Sequence, residues 1–326
     1  MSEVRVLAAH EVDAAVAVLR AGGLVGLPTE TVYGLAADAD SADAVARIYA
    51  VKGRPQDHPV IVHISGADKV VDWASDFPSY AQQLAAAFWP GPMTLILRRN
   101  QRAHDFVTGG QDTVGLRVPN HPVALAVLSG FGGGVAAPSA NQFGAVSPTS
   151  AAHVLADLGE RLDPHRDVII DGGDSSVGVE STIIDCTGEQ PRILRPGAIT
   201  SLDVERVTGL NVSAMGEAIK APGTLDSHYA PDATVRLVDT AEQLDEVVAA
   251  LAHHQFVGVL APEVVQTPRG AIRLSMPQSN LQYAEELYAA LREADRLGLA
   301  HVVALLPSGD DIAIAVRDRL TRAAHS

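Results

Sequence analysis

What most constrains the fold is a rhythm. Short apolar runs alternate with helical segments, and glycine or proline stops many of them. Residues 24–27, 60–64, 93–97, 114–118 and 168–171 are apolar enough to be strands buried on both faces. Between them, residues 8–21, 41–51, 80–89, 122–129 and 149–158 repeat apolar positions at helical spacing, the first ending at Gly22-Gly23. Residues 181–185 and 192–194 read as two more strands around a glycine-rich turn. This alternation specifies an α/β fold.

From residue 211 to 231 the pattern weakens into Gly, Pro, Ser and polar residues, the mark of a linker. A second alternation follows: strands at 234–238, 257–261 and 302–306, and helices at 241–253, 281–297 and 312–323. These lengths predict a small parallel α/β unit. A chain of 326 residues suits two domains, so the expected division is 1–210, a linker at 211–231, and 232–326.

Composition narrows the function classes. Aromatics make up only 4% of a chain that is 47% hydrophobic, so the cores are expected to be Val, Leu, Ala and Ile. No run approaches the roughly 18 apolar residues of a membrane span, and no basic stretch leads into an apolar leader. A single cysteine, Cys186, excludes an internal disulfide and a multi-cysteine metal site. The expected location is cytoplasmic. A net charge of -15 argues against a surface that coats nucleic acid, but leaves open a small cationic pocket for anionic substrates.

Such a pocket is suggested by short motifs and single residues that set cations or hydroxyls beside glycine, proline or an apolar strand. Lys52-Gly53-Arg54 places two cations around a glycine, either converging on a polyphosphate or lying in a solvated loop. Arg117, between Leu116 and Val118 on a strand, calls for a counter-charge. A bound carboxylate is preferred here over an internal Asp or Glu. Ser139 and Asn141 follow three glycines and present a hydroxyl and an amide; a ligand contact and a simple turn fit equally well. Arg195, before Pro196-Gly197, suits a phosphate or a strand-end ion pair. His63 lies within an apolar strand, where a satisfied core histidine competes with a functional one. Thr29, Glu30 and Thr31 read as a possible helix cap. His253-His254 is not expected to hold a metal. Walker A, dinucleotide-glycine and zincin motifs are absent.

Taken together, residues 23–38, 50–64, 89–94, 138–149 and 178–183, with the Arg195-Pro196-Gly197 turn, resemble the YrdC-like family. Pro222-Gly223 through His228-Tyr229-Ala230-Pro231, followed by an α/β tail, resembles its longer two-domain members. The resemblance implies a twisted open mixed sheet with flanking helices, plus a smaller Rossmann-like parallel α/β C-terminal domain. It also implies an enzyme, a nucleotidyltransferase that makes threonylcarbamoyl-adenylate from L-threonine, bicarbonate and ATP with release of pyrophosphate. Partner enzymes then transfer the threonylcarbamoyl group to tRNA, so direct tRNA contact by this chain is expected to be weak or indirect. Mg²⁺ is expected to arrive with ATP, with no metal held by protein side chains.

By the same resemblance, Lys52, Arg54 and Arg195 would hold ATP phosphates, and Thr113, Ser139 and Ser147 would contact the nucleotide. Lys52, Arg54, Ser139 and Asn141 would form the catalytic group. Thr31, His63, Arg117 and Ser181 would hold threonine, with Ala137 offering backbone contacts. The linker would fold over the pocket and bring Tyr229, with His228, onto the nucleotide. His58 stands where the family usually has Asn, so the nucleotide contact there is expected to be sensitive to pH. Two other classes share the YrdC-like unit. A non-catalytic RNA-binding or ribosome-maturation module fits the acidic balance poorly, and a carbamoyl-transfer factor would carry cysteine-rich zinc segments.

Overall fold

A computed structural model describes residues 3–213, 229–251 and 256–325. They fall into two compact units. The first comprises Met1–Phe143, Pro148–Ser176 and Glu180–Thr224; the second comprises Gly144–Ser147, Val177–Val179 and Leu225–Ser326. Most of the linker, with His228, and the pair His253-His254 lie outside the described residues.

The first unit opens with β1 (Arg5–Ala8), α1 (Val12–Arg20), β2 (Val25–Leu27), β3 (Gly34–Asp38), α2 (Ala42–Lys52) and β4 (Ile61–His63). It continues with α3 (Ser79–Phe88), β5 (Met93–Arg98), α4 (Asp105–Thr108), β6 (Thr113–Arg117), α5 (Pro122–Phe131) and β7 (Val135–Ala136). It closes with α6 (Ala151–Leu158), β8 (Val168–Asp171), β9 (Thr182–Asp185), β10 (Arg192–Arg195) and α7 (Ser201–Thr208). The ten strands form one mixed sheet in the order β1-β8-β2-β3-β7-β4-β6-β5-β9-β10.

The sheet is covered on both faces, and the strands show it residue by residue. Leu24 and Leu35 join one apolar cluster while their neighbours Val25 and Ala36 join another. In the same way Val62, Leu95 and Ile184 face the first cluster, whereas Ile61, Ile96 and Ile183 form a smaller one with Leu194. Successive strand side chains point to opposite faces, so continuous apolar runs are what two covered faces require. Residues of α2, α3 and α6 close the first face, and those of α1 and α5 the second.

The second unit holds β11 (Thr234–Val238), α8 (Ala241–Leu251), β12 (Val257–Leu260), β13 (Ala271–Ser275), α9 (Asn280–Arg296), β14 (His301–Leu305) and α10 (Ala313–Ala324). Its sheet is wholly parallel, in the order β11-β14-β12-β13. Along α9, Tyr283, Ala284, Leu287, Tyr288, Leu291 and Ala294 are buried, the i, i+1, i+4 stripe of a helix lying on a sheet.

Several elements differ from the sequence expectation. The first helix starts at Val12, not residue 8, because residues 5–8 pair as an edge strand with β8. Alanine-rich β3, two-residue β7 and the half-exposed edge strand β13 carry too little apolar signal to stand out. Helix α7 was also unexpected, although Thr200 and Asp203 form a reciprocal capping box at its start.

Candidate functional site

Helix α2 ends where its chemistry begins. Gly53 takes a left-handed conformation (φ 66°) and its N–H bonds back to Ala50, a glycine C-cap. That stop leaves Lys52 on the last turn, buried, with its ammonium 2.5 Å from the carbonyl oxygens of both Ser139 and Asn141. Burial, and then the nearby charge of Arg54, push the Lys52 pKa well down. Even a neutral amine keeps the two N–H donors that two carbonyls need. The Lys52 carbonyl in turn accepts from the Phe143 N–H at 2.9 Å. The two motifs that the sequence separates by some ninety residues are thus one structure.

Arg54, also buried, donates to the Pro59 carbonyl at 2.8 Å. The same loop is held by the Tyr49 hydroxyl, which donates to the His58 carbonyl at 2.8 Å. His58 packs edge-on against Phe143 with ring centres 5.7 Å apart, and its Nε2 lies 4.0 Å from Asp57.

The stretch 29–33 precedes no helix, so the reading of Thr29–Thr31 as a helix cap is corrected. It is a turn before β3, in which Thr29 Oγ1 donates to the Val32 carbonyl at 2.6 Å and lies 2.9 Å from Thr31 Oγ1. The turn is sewn to the Ser139 loop: Tyr33 accepts from the Ala140 N–H, and the Leu35 N–H donates to Pro138. A methyl group on Gly34 would come within 3.1 Å of the Ala137 Cβ, so the two segments touch where a side chain would part them.

Arg117 ends β6 in register with His63 at the end of β4. Its counter-charge is Glu30, Nη2 to Oε1 at 2.7 Å, with both side chains about 5% exposed. Of the two counter-charges the sequence allowed, a bound carboxylate and an internal acid, the structure supplies the internal one, Glu30. The ion pair is close but out of line for hydrogen bonding. Among the described residues, both Glu30 oxygens, Arg117 Nε and Nη2, and His63 Nδ1 are buried with no hydrogen-bond partner. Burial and the neighbouring Arg117 charge push His63 down to about 3, so it is a neutral imidazole.

Ser181 and Arg195 form a second cluster. Arg195 donates through Nε and Nη2 to the Ser181 carbonyl at 3.1 and 2.9 Å, and through Nη2 to its hydroxyl at 3.1 Å. Ser181 Oγ also lies 2.8 Å from Thr94 Oγ1, a residue that sequence reasoning did not select although it closes the Trp89–Thr94 run. Thr113 begins β6, the opposite end of that strand from Arg117. Ser147 and Tyr229 belong to the second unit. There the Ser147 and Val146 carbonyls accept from Arg292, and the Tyr229 ring stacks on Tyr288 at 5.6 Å beneath the Arg319 guanidinium.

Among the described residues no group of three or more His, Cys, Asp or Glu is placed to hold a metal ion, and no helix is long and apolar enough to cross a membrane. What the first unit does offer is buried cations, hydroxyls and backbone carbonyls around a bare ion pair. That set can bind, orient and neutralise anionic groups.

Comparison with known proteins adds the following. Residues 17–197 match the family described as "Telomere recombination" (Sua5/YciO/YrdC), and residues 199–325 match "Threonylcarbamoyl-AMP synthase, C-terminal domain". The threonylcarbamoyl-AMP synthase of Bacillus subtilis is 37% identical over 331 residues, covering 96% of this chain and 93% of its own. That of Pyrococcus abyssi is 37% identical over 317 residues, covering 94% and 91%. The crystal structure of P. abyssi Sua5 complexed with L-threonine matches with a TM-score of 0.90 at 35% identity, covering 99% of this chain and 97% of that one.

Proposed function

The chain belongs to the Sua5/YciO/YrdC family, and from that premise we propose that it is a threonylcarbamoyl-AMP synthase. The observation that carries this reading is the 37% identity, over more than nine-tenths of the chain, to two enzymes of that name. The P. abyssi relative was crystallised with L-threonine, which supports the same amino acid as substrate here.

The reaction joins L-threonine, bicarbonate and ATP. The threonine amine, once it has lost its ammonium proton, bonds to the bicarbonate carbon, and a C–O bond breaks as water leaves to give a carbamate. A carbamate oxygen then bonds to the α-phosphorus, the bond from that phosphorus to the α,β-bridging oxygen breaks, and pyrophosphate leaves with the electron pair. This is nucleotidyl transfer, and it demands position and charge neutralisation more than acid–base chemistry. Arg117 would take the threonine carboxylate through its unused N–H groups. Thr31, His63 and Ser181 would orient the polar groups, and Ala137 would supply backbone contacts. A neutral His63 suits that role, since it can donate or accept without adding charge beside Arg117.

Arg54 and Arg195 would neutralise the phosphates, and His58, Thr113 and Ser139 would contact the nucleotide. Lys52 would act through the 139–141 loop, fixing Ser139 and Asn141 by their carbonyls. Mg²⁺ would enter as part of the nucleotide substrate. The product, a mixed anhydride, suits transfer of its threonylcarbamoyl group to tRNA by separate enzymes. The test is pyrophosphate release by the full chain with Mg²⁺-ATP. Release should require both L-threonine and bicarbonate; nucleotide binding with no release under any combination would refute the reading.

A further inference from the structure

Glu30 is a buried acid of the candidate site that the proposed roles leave unused. Its carboxylate is 2.7 Å from Arg117, yet among the described residues neither oxygen has a hydrogen-bond partner, and neither do Arg117 Nε and Nη2. Another ion pair in the same unit shows what a purely structural one looks like. Asp167 accepts from Arg47 Nη2 at 2.7 and 2.9 Å, from the Leu24 N–H at 2.8 Å and from the Asp163 N–H at 2.8 Å. Its lone pairs are used. Taking two charges out of water is costly unless further hydrogen bonds satisfy what remains. The Glu30–Arg117 pair bears that cost with its donors and acceptors still open.

Two adjacent opposite charges with open donors on one and open acceptors on the other complement a small zwitterion. An α-amino acid in water near neutral pH is such a zwitterion, an ammonium and a carboxylate on one carbon. We propose that Glu30 binds the α-ammonium of the amino-acid substrate while Arg117 binds its carboxylate, so that substrate completes the hydrogen bonding of the buried pair. The inference rests on the reading of the substrate as L-threonine. The surroundings fit it. The 29–32 turn that carries Glu30 is fixed by the Thr29 hydroxyl, so the carboxylate is pre-positioned. His63, in register beside Arg117, is neutral and leaves the charge balance to the pair itself.

The role separates Glu30 from a merely structural partner by selectivity. Calorimetric binding to the full chain is compared for L-threonine and for 2,3-dihydroxybutanoate, in which a hydroxyl replaces the ammonium. Wild type should favour threonine by about 30-fold, the value of one charge-assisted hydrogen bond. Glu30→Gln should weaken threonine by about as much and bring the two ligands within about threefold of each other. A folded Glu30→Gln protein that keeps the wild-type ratio overturns the role. Should that variant fail to fold, wild type decides: an analogue that binds within about threefold of threonine overturns it. If wild type binds no threonine, the proposed function falls too; if it binds threonine and the ratio is unchanged, only Glu30 falls.

Discussion

The Lys52 ammonium lies 2.5 Å from the Asn141 carbonyl oxygen, inside the protein and far from it in sequence. With the equal bond to Ser139, this makes Lys52 the pin of the loop that carries the Ser-x-Asn pair. Lys52→Met would remove the donor that both buried carbonyls share. We expect a stability loss of about 2–4 kcal/mol by urea denaturation. A loss under about 1 kcal/mol would mean that water replaces the ammonium without difficulty.

Arg117→Ala removes the group assigned to the substrate carboxylate. The apparent threonine affinity should fall about 100-fold, with ATP changed by less than about threefold. Steady-state kinetics with each substrate varied in turn measures both. Equal losses for the two substrates would contradict the assignment.

His63 makes stability depend on pH. Its folded pKa of about 3 lies below the unfolded value of about 6.5. Between these values the unfolded chain binds a proton that the folded chain refuses. The contribution is therefore fully present above about pH 6.5 and declines as pH falls towards 3. Relative to His63→Gln, wild type should lose about 2 kcal/mol between pH 7 and pH 5. Parallel pH profiles for the two proteins would show that His63 is not held neutral.

Two glycines should respond differently to alanine. At Gly53 (φ 66°) an added Cβ meets nothing within 4 Å, so only the left-handed backbone is penalised, at about 1 kcal/mol. At Gly197 a Cβ would sit 2.4 Å from the Thr182 backbone nitrogen, and the turn after Arg195 must move. Gly197→Ala should cost more stability than Gly53→Ala and should also impair ATP binding. The reverse order in thermal melting would exclude a steric role for Gly197.

Threonine and serine differ by one methyl group. A pocket distinguishes one methylene-sized group by only about 1–3 kcal/mol. Serine should therefore react about 10–200-fold less efficiently. A pyrophosphate assay showing discrimination beyond roughly 1000-fold would point to recognition beyond methyl contact.

Strands buried on both faces were the most legible part of the fold. Residues 60–64, 93–97 and 114–118 announce themselves because both of their neighbours in space are apolar. Edge strands β1 and β13 were not legible, since one side of each meets water and their Arg5 and Arg273 are tolerated there. The site divided in the same way. Lys52, Arg54, Ser139, Asn141 and Arg117 could be singled out, because charge or hydroxyl beside glycine, or charge inside an apolar strand, is visible in one dimension. What each of them faces was not visible. The Lys52 bonds to the 139–141 loop and the pairing of Glu30 with Arg117 join residues some ninety positions apart.

The sequence by itself determined the alternation of strands and helices, the weakening after residue 210, and the residue types of a pocket for anions. Local periodicity and backbone stops suffice for those. Only the tertiary structure decided that Arg117 already has an internal counter-charge and that this pair keeps its donors and acceptors open. A buried charge must be neutralised by whatever the fold brings within a few ångströms, and chain position does not encode that distance.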